Sequence, residues 1–394
     1  MTSKPKAIFL CKFLPYSKFS GGAIRTLNWI IFLSKRYDLI VIGFQPNTKV
    51  DSKNELAGLA YREIAYKLKG GYLKKLMSIL SLLFANKSYS ISKYTDRRVA
   101  EKVREVVISE KIEFIFCSEL SPLANINIDQ DIYYLDDHNI EFELMQRRGF
   151  EKIKPLKWFF CKEANAIRRF ELKAAEKARH TFVVSQRDRE ILKYLVASSN
   201  IRAVENCLPE SVKITKPKRS ETPLLVFIGT LSWAPNYEGI NRFIRNIFPL
   251  LKSDFPEVEL LILGSGDANK VLSDVKGVKV YSNIGEGEKN KILGEASIAI
   301  APIYAGSGSR IKILEYWLHA LPVVSTTIGA EGLGRTSGTI QTKDDRAFYL
   351  AVRGILENPD VANNLGKANL KLYQSNYEFG KIYEDSLYNT FNTK

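Results

Sequence analysis

The stretch APIYAGSGSRIKILEYW, residues 301–317, contains the clearest strand–turn–helix signal in the chain. An apolar run ending at Ala301 predicts a strand, Gly306 and Gly308 predict a turn, and the apolar spacing that follows predicts a helix from Arg310. A short strand that leads through a glycine turn into a helix is the unit from which parallel α/β sheets are built.

The first turn of this predicted helix favours an anion. Ser309 can cap the helix, and Arg310 and Lys312 follow where the helix dipole disfavours cations by about 0.3–1 kcal/mol each. Two cations are favourable there if the backbone N–H groups of the turn, including those of Ser307 and Gly308, also face a phosphate. We therefore predict a phosphate or diphosphate site.

Glu315 lies one turn further along the same helix. Its carboxylate is expected to accept hydrogen bonds from ribose hydroxyls, as acidic residues do in other nucleotide sites. The alternative is an ordinary helix in which Lys312 and Glu315 form an exposed i,i+3 ion pair. The glycines at the strand–helix turn favour the nucleotide interpretation.

The same alternation of short apolar runs and helical stretches occurs in both halves of the chain. It restarts after residue 210, beyond the polar, basic and proline-containing segment 213–223, which predicts a linker. The pattern predicts an α/β protein of two doubly wound parallel-sheet domains, with a ligand in a cleft outside the carboxyl ends of the strands. The predicted strands are residues 7–13, 39–44, 114–117, 132–135, 181–185, 224–228, 258–263, 278–281, 298–301 and 323–325.

Two further loops are candidates for ligand contact. The segment GTLSWAPN, from Gly229 to Asn236, again lies between a strand and a helix. Trp233 and Asn236 are candidate ligand contacts, although a hydrophobic staple and an N-cap explain them equally well. Gly21 and Gly22 follow the first strand and would let the backbone approach a ligand closely.

A third loop holds one of only three histidines in the chain. His138 is expected at the carboxyl end of a parallel strand, where, with Asp137 or Glu141, it can bind hydroxyl groups or transfer a proton. A capping role is the alternative. His180, before a strand, and His319, within a helix, are interpreted as structural.

Composition restricts the class of protein. Hydrophobic residues at 45% and charged residues at 26% exclude a disordered or fibrous chain. The net charge of +15 is concentrated in residues 1–200, which carry 35 basic and 22 acidic side chains, against 23 and 21 in the remainder. The basic first half is expected to face an anion, a nucleic acid or a membrane surface.

Four scattered cysteines favour buried thiols over a disulfide framework, and no metal site is predicted. The apolar run near the N-terminus is too short for a signal peptide, and no stretch approaches the roughly 18–20 apolar residues of a membrane span. A cytoplasmic protein is expected.

The segment from Tyr66 to Arg98 departs from the α/β alternation. Five apolar residues recur at helical spacing, with lysines on the flanks: Leu73, Leu76, Ile79, Leu80 and Leu83. One interpretation is a core-facing helix with a basic solvated side. The other is an interfacial helix that inserts leucines into a bilayer and places lysines at anionic headgroups.

The residues collected so far resemble a known family. GSGSRIKILEYWLHALPVVSTTIGAEGL, residues 306–333, closely resembles the donor-binding core of glycosyltransferase family 4, whose members have the GT-B fold. FIGTLSWAPN is similar to the opening of the second domain in that family. LDDHNIEFELMQRR resembles its histidine-containing acceptor-side loop, and VVSQRDREIL resembles its segment before the linker. These matches cover most of the chain from about residue 110 onward, together with the first strand and its glycine loop.

The resemblance implies transfer of a sugar from a nucleoside diphosphate donor, with retention of anomeric configuration and without a metal or other cofactor. It implies an acceptor domain over residues 1–210, a nucleotide-sugar domain over 211–375, and a C-terminal helix, 376–394, that packs back on the first domain. By position, the residues implied to bind the donor are Gly21, Gly22, Gly229, Ser307, Gly308, Ser309, Arg310, Lys312 and Glu315. Those implied to bind the acceptor are Asp137, His138, Trp233 and Asn236. The implied catalytic residues are His138, Arg310 and Lys312.

Two positions depart from the family pattern. Many members have two glutamates eight positions apart, and the first would fall at Ser307, so the contacts to the donor sugar must come from elsewhere. Many members also have an Arg and a Lys in the loop that corresponds to Gly229–Asn236, which has neither. Arg310 and Lys312 are then expected to hold the diphosphate alone.

The sequence thus predicts a hexosyltransferase-type glycosyltransferase of bacterial surface-polysaccharide or lipid-linked glycan assembly. We expect it at the inner face of the cytoplasmic membrane, with no nucleic-acid partner. A GT-B sugar-nucleotide epimerase is an alternative, but it needs acidic residues for proton abstraction beyond Asp136 and Asp137. A basic nucleic-acid-binding protein is another, although the basic residues form no recognisable reading motif.

Overall fold

A computed structural model of the chain describes residues 4–16, 21–46, 59, 61–68, 71–150, 153–197, 200–212, 217–282, 284–305, 311–333 and 338–391. These residues form two compact units that divide between Val204 and Glu205, a few residues before the boundary predicted at residue 210. Each unit is built on one parallel sheet with helices, so the predicted α/β class is confirmed.

The sheet of the first unit has, within the described ranges, seven parallel strands. They are β1 (Lys6–Phe13), β2 (Asp38–Phe44), β3 (Tyr61–Tyr66), β4 (Ile112–Ser118), β5 (Tyr133–Asp137), β6 (His180–Val183) and β7 (Ile201–Ala203). Their spatial order is β3-β2-β1-β4-β5-β6-β7. The order reverses between β1 and β4, which opens a crevice at the carboxyl ends of these two strands.

The helices of the first unit are α1 (Gly21–Ser34), α2 (Tyr72–Ala85), α3 (Tyr89–Ser92), α4 (Arg97–Ser109), α5 (Glu141–Phe150), α6 (Lys154–Lys177) and α7 (Gln186–Leu195). The core lies between these helices and the sheet. Residues Ala7 to Cys11 of β1 are all buried, as expected for a strand covered on both faces.

Two buried glutamates of α6 fix the helices that begin beside it. Glu163 accepts hydrogen bonds from the backbone N–H groups of Tyr89 and Ser90 at the start of α3, at 2.8 and 2.9 Å. Glu171 accepts from Glu141 and Phe142 at the start of α5, at 2.8 and 3.0 Å. Each carboxylate therefore caps a helix N-terminus, where a negative charge is favourable.

The second unit contains, in its described part, six parallel strands. They are β8 (Leu224–Thr230), β9 (Glu259–Ser265), β10 (Val278–Ser282), β11 (Ile298–Ala301), β12 (Val323–Thr326) and β13 (Thr339–Thr342). The order β10-β9-β8-β11-β12-β13 reverses between β8 and β11, so the crevice of this sheet lies at the carboxyl ends of those two strands.

The helices of the second unit are α8 (Ala234–Asn246), α9 (Phe248–Asp254), α10 (Glu286–Glu295), α11 (Ile311–Leu318), α12 (Asp345–Glu357), α13 (Pro359–Asn376) and α14 (Ser386–Phe391). A π-helical segment, Gly380–Asp385, precedes α14. The helix expected around residues 239–251 is two helices joined at Ile247, because Pro249 has no N–H for a continuous helix and occupies the first turn of the second one. The contact predicted between the C-terminal helix and the N-terminal domain stays a prediction.

The predicted linker is only partly described. Residues 213–216 lie outside the described residues, and residues 217–223 belong to the second unit. Arg219 donates hydrogen bonds to the backbone carbonyls of His319 and Ala320, at 2.9 and 2.8 Å. This part of the segment is therefore held on the second unit by its arginine.

The segment from Tyr66 to Arg98 contains α2 and α3. Three of the five predicted apolar residues do not face the core: Leu73 is 76% exposed, and Leu76 and Leu80 are 39% and 36% exposed. Ile79 and Leu83 are partly buried. Only Ser78 and Leu82 of this helix are buried. Within the described ranges, no helix combines the length and apolarity needed to cross a membrane.

Candidate functional site

His138 lies immediately after β5, at the carboxyl edge of the first unit's sheet. Its Nε2 atom is 2.8 Å from Asp136 Oδ2 and 3.2 Å from Ser118 Oγ, at the end of β4. The imidazole is 9% exposed, whereas the Asp136 side chain has no exposed surface. The side chain predicted from its position on the strand therefore stands over a buried polar cluster at the edge where ligands bind in α/β sheets.

The cluster is organised around an ion pair between Arg25 and Asp136. Arg25 Nε lies 3.0 Å from both carboxylate oxygens of Asp136, and its Nη1 donates to the Val204 carbonyl at 2.7 Å. Both charged side chains are buried. Burial alone would raise the pKa of Asp136, but the charge of Arg25 and the hydrogen bonds from His138 and Arg25 outweigh it and hold that pKa below its usual value. Asp136 is therefore an ionised acceptor.

The ionised carboxylate fixes the orientation of the His138 ring. Because Asp136 can only accept, His138 Nε2 must carry a hydrogen and donate it, and the neutral tautomer with that hydrogen has Nδ1 as an acceptor. Nδ1 lies 4.0 Å from Glu119 Oε1. A Cβ atom added at Gly22 would lie 3.5 Å from Nδ1, an ordinary van der Waals contact, so Gly22 lies directly beside this nitrogen in the first turn of α1. The predicted residues Gly22 and His138 are thus brought together.

Asp137 is not brought to this cluster. Successive residues of a strand point to opposite faces of a sheet, so Asp137 points away from Asp136 and His138. Its side chain is 1% exposed and lies beside Glu171. Burial and then the neighbouring Glu171 raise the pKa of Asp137 well above its usual value, and burial raises the pKa of Glu171 to about 7. This geometry gives Asp137 a place in the packing between β5 and α6.

The second unit brings three predicted residues together at the crevice between β8 and β11. Lys312, in the first turn of α11, donates a hydrogen bond to Asn236 Oδ1 at 2.7 Å, and its ammonium lies 4.3 Å from the centre of the Phe227 ring. Asn236 in turn donates to the Thr230 carbonyl at 2.9 Å. A Cβ atom at Gly229 would lie 2.7 Å from Asn236 Nδ2, so only glycine leaves the amide in place.

Asn236 is therefore not an N-cap. Helix α8 begins at Ala234, with Trp233 half-buried at the capping position, and Asn236 lies within the first turn with 3% of its surface exposed. Its amide connects the loop after β8 to the lysine of α11. The loop that lacks the family's Arg and Lys thus still contacts one of the two cations expected to hold the diphosphate.

Glu315 does not pair with Lys312, so the alternative of an exposed i,i+3 ion pair is wrong. Its carboxylate lies 2.6 Å from the Lys289 ammonium of α10, which also lies 2.8 Å from Glu286. Burial lowers the pKa of Lys289, but the charges of Glu315 and Glu286 outweigh it and raise that pKa. Glu315 is 8% exposed, so its carboxylate is fixed at the crevice by a largely buried ion pair.

The remaining predicted residues are placed as follows. Gly21 is the exposed first residue of α1. Ser307, Gly308, Ser309 and Arg310 lie outside the described residues. In the part of the chain that the structure describes, no three His, Cys, Asp or Glu side chains are arranged to hold a metal ion.

The prediction from sequence missed Arg25, Asp136, Ser118 and Lys289 as site residues. A signal was present for two of them. The period of two along a strand places Asp136, not Asp137, on the same side as His138. Arg25 is a single cation in the otherwise apolar helix GGAIRTLNWIIF, which indicates a buried partner.

Comparison with known proteins agrees with this geometry. Residues 222–358 match the family model described as "Glycosyl transferases group 1". A curated relative, an uncharacterised 44.6 kDa protein in the cps region of Klebsiella pneumoniae, is 22% identical over 169 residues, which cover 40% of this chain. The aligned segment spans 44% of the length of that relative.

Solved structures match nearly the whole chain at low identity. Sucrose-phosphate synthase from Thermosynechococcus elongatus aligns with a TM-score of 0.68 at 14% identity, covering 98% of both chains. WaaG, a glycosyltransferase involved in lipopolysaccharide biosynthesis, gives 0.67 at 11% identity over 97% of this chain and 99% of its own. HepE from Anabaena, in complex with UDP and glucose, gives 0.66 at 11% identity over 99% and 100%.

These comparisons confirm the fold class predicted from the sequence. The two parallel-sheet units have the GT-B fold, and the second unit carries the group 1 glycosyltransferase domain. Over residues 222–358, the predicted assignment to the group 1 glycosyltransferases is confirmed. The narrower assignment to family 4 stays a prediction.

Proposed function

We propose that this protein transfers a sugar from a nucleoside diphosphate donor to a glycan or lipid-linked acceptor, in the synthesis of a bacterial surface polysaccharide. The observation that carries the proposal is the convergence of Gly229, Asn236, Lys312 and Glu315 at the crevice of the second sheet, inside the segment that matches the group 1 family. One cation and one carboxylate, held by separate partners, match the two ends of a nucleoside diphosphate.

The second unit supplies the groups for the donor. Lys312, at the positive end of α11, would contact the diphosphate, and Asn236 would hold the lysine in position. Glu315 would accept hydrogen bonds from the ribose hydroxyls. Arg310, assigned from the sequence, would supply a second positive charge. The HepE structure supports a uridine nucleotide as the first donor to test.

The first unit supplies His138 for the sugar or acceptor. Its Nδ1 would accept a hydrogen bond from a hydroxyl group, because Nε2 already donates to Asp136. In the transfer step, the bond between the anomeric carbon and the diphosphate oxygen breaks, and its electron pair leaves with the diphosphate. The acceptor oxygen bonds to the same carbon on the same face, and its proton passes to the departing diphosphate. Positive charge near the leaving group lowers the barrier.

The acceptor and its location are part of the proposal. The curated relative lies in a cps region, and WaaG is involved in lipopolysaccharide biosynthesis. Both support assembly of a surface glycan. We place the protein at the inner face of the cytoplasmic membrane, where a lipid-linked acceptor and a cytoplasmic nucleotide sugar are both available. The net charge of +13 in residues 1–200 supports attraction to an anionic surface.

The test is sugar transfer by purified protein from labelled nucleotide sugars to extracted lipid-linked glycans. Arg310→Ala is expected to abolish transfer with unchanged thermal unfolding, whereas Lys367→Ala, a change at an exposed lysine of α13, should leave transfer intact. Unchanged turnover by Arg310→Ala contradicts the assignment of the donor site. Conversion of the nucleotide sugar to its epimer in the absence of any acceptor would instead show an epimerase.

The stereochemistry and the metal requirement are tested in the same assay. We propose that the anomeric configuration is retained and that no metal takes part, as the family resemblance implies. Proton NMR of the product should show the same anomeric configuration as the donor, and transfer should persist in excess EDTA. An inverted product, or loss of activity that Mg²⁺ or Mn²⁺ restores, would contradict these two statements.

A further inference from the structure

Helix α2 presents an apolar face to solvent. Six large apolar side chains of this helix, Tyr72, Leu73, Leu76, Met77, Leu80 and Phe84, are between 36% and 83% exposed. At about 100° per residue they occupy one continuous arc of about 140°. The buried residues Ser78 and Leu82 lie on the opposite side, so the helix is amphipathic with its apolar side outward.

The start of α6 adds a second group of exposed apolar side chains. Phe150, at the end of α5, is 79% exposed, and Ile153, Leu156 and Trp158 are 71%, 47% and 57% exposed. The Lys157 ammonium lies 5.3 Å from the centre of the Phe150 ring. A lysine ammonium group therefore lies beside an exposed aromatic ring in this part of the surface. We call these four residues and the six of α2 together the α2/α6 surface.

The two parts of the α2/α6 surface are joined directly. Lys162 donates a hydrogen bond to the Leu83 carbonyl of α2 at 2.7 Å, and the same ammonium lies 5.4 Å from the centre of the Trp158 ring. Arg169 donates to the Asn86 carbonyl, just beyond the end of α2, at 3.2 Å. The C-terminal end of α2 is thus fixed to α6, beside Trp158.

The distribution of charge selects the partner. Helix α2 has no acidic residue, and Lys74 and Lys75 lie at the two edges of its apolar arc. Residues 154–162 contain three lysines and no acidic residue. Leucines and aromatic rings bordered by lysines match the boundary between the acyl chains and anionic headgroups of a bilayer. At about 1.5 Å per residue, α2 is about 21 Å long, too short to span the membrane.

We propose that the α2/α6 surface is the membrane-docking surface of this protein, with α2 lying in the plane of an anionic leaflet. Leu73, Phe84 and Trp158 enter the headgroup–acyl boundary. The exposed lysines Lys75, Lys154 and Lys157 contact lipid phosphates. The inference rests on the proposed function, because the membrane-borne acceptor is the reason why the enzyme binds a membrane. Vesicle binding, however, is measured with neither donor nor acceptor, so failure of one proposal is distinguishable from failure of the other.

The experiment is flotation with vesicles of phosphatidylcholine alone and of phosphatidylcholine with phosphatidylglycerol. The full-length protein is expected to bind the anionic vesicles, and added salt should weaken the binding. Leu73→Glu/Phe84→Glu is expected to lower the partition coefficient by about tenfold or more, because two apolar side chains are lost and two negative charges are added. The matched control is Ile108→Glu/Tyr194→Glu, at side chains that are 77% and 90% exposed outside this surface.

A second readout locates the contact. Vesicles with brominated acyl chains should quench tryptophan fluorescence. Trp158→Phe should remove most of the quenching, because Trp29 and Trp317 are fully buried and the half-buried Trp233 belongs to the second unit. Thermal unfolding in the absence of vesicles, with unchanged midpoints, serves as the test that the variants remain folded. Equal binding by the Leu73/Phe84 variant and the protein itself, or no binding to anionic vesicles, overturns the proposal. A dimer that dissociates in the Leu73/Phe84 variant, without vesicle binding, would show that a second copy covers the surface.

Discussion

The ion pair between Arg25 and Asp136 gives the most demanding test of the first unit's site. Both side chains are at most 2% exposed, and the pair contacts His138 through Asp136. Replacing one partner leaves the other charge buried without its counter-ion, which destabilises a protein by about 3–5 kcal/mol. We expect Arg25→Met and Asp136→Asn each to destabilise the first unit by this amount.

The magnitude can be expressed as a melting temperature. For a unit of this size, 1 kcal/mol shifts the midpoint by about 2–4 °C, so each single variant should lose about 6–20 °C in the transition of the first unit. The double variant Arg25→Met/Asp136→Asn removes both charges and should recover most of that loss, because a buried ion pair is replaceable by uncharged groups. Transfer activity should not recover, since His138 has lost the carboxylate that fixes its ring.

The assay is differential scanning calorimetry together with the transfer reaction. The matched control is the exposed pair between Arg97 and Glu101, whose removal by Arg97→Met should give no measurable shift. Small losses in the single variants, or a double variant whose loss equals the sum of the two, would refute the reasoning that the pair is a coupled buried unit. Full activity in the double variant would refute the positioning of His138 by Asp136.

Two other variants test buried contacts at either sheet. Asp137→Asn should become more stable relative to the unmodified protein as the pH rises from about 4 through 7. A carboxyl whose pKa is raised in the folded state contributes stability at low pH, and this stability is lost as the pH rises through the folded-state pKa. Urea unfolding curves of both proteins across this pH range check the prediction. Gly229→Ala should displace the Asn236 amide from Lys312 and weaken nucleotide binding several-fold, as measured by calorimetry. Adding Asn236→Ser to the Gly229→Ala variant should partly restore the binding.

The sequence predicted the interior of both sheets better than their edges. Central strands such as β1 and β8 are short, nearly continuous apolar runs, because both of their faces are covered. The strands β3, β7 and β13 were missed; each lies at an edge of its sheet, where one side lacks a partner strand and the apolar run is short or interrupted. Tyr61–Tyr66, for example, has no fully buried residue.

The contacts between the site residues were harder to predict than the positions of those residues in the fold. Glycine turns and strand ends placed Gly22, His138, Gly229 and Lys312 at the carboxyl edges of the two sheets. Their partners could not be deduced, because pairing depends on the fold: Arg25 and Asp136 are 111 residues apart in the chain. The same limit explains the choice of the adjacent Asp137, where one residue along a strand changes the face of the sheet.

The central claim is that the second unit binds a nucleoside diphosphate donor. Calorimetric titration of nucleoside diphosphates tests this claim most directly. At moderate salt, the protein should bind one nucleoside diphosphate saturably. Lys312→Met should bind it about 10–100-fold more weakly, as expected for loss of a hydrogen bond from a charged group, whereas Lys367→Met should bind it unchanged. Absence of binding to every nucleoside diphosphate, or equal binding by the protein and Lys312→Met, would contradict the account.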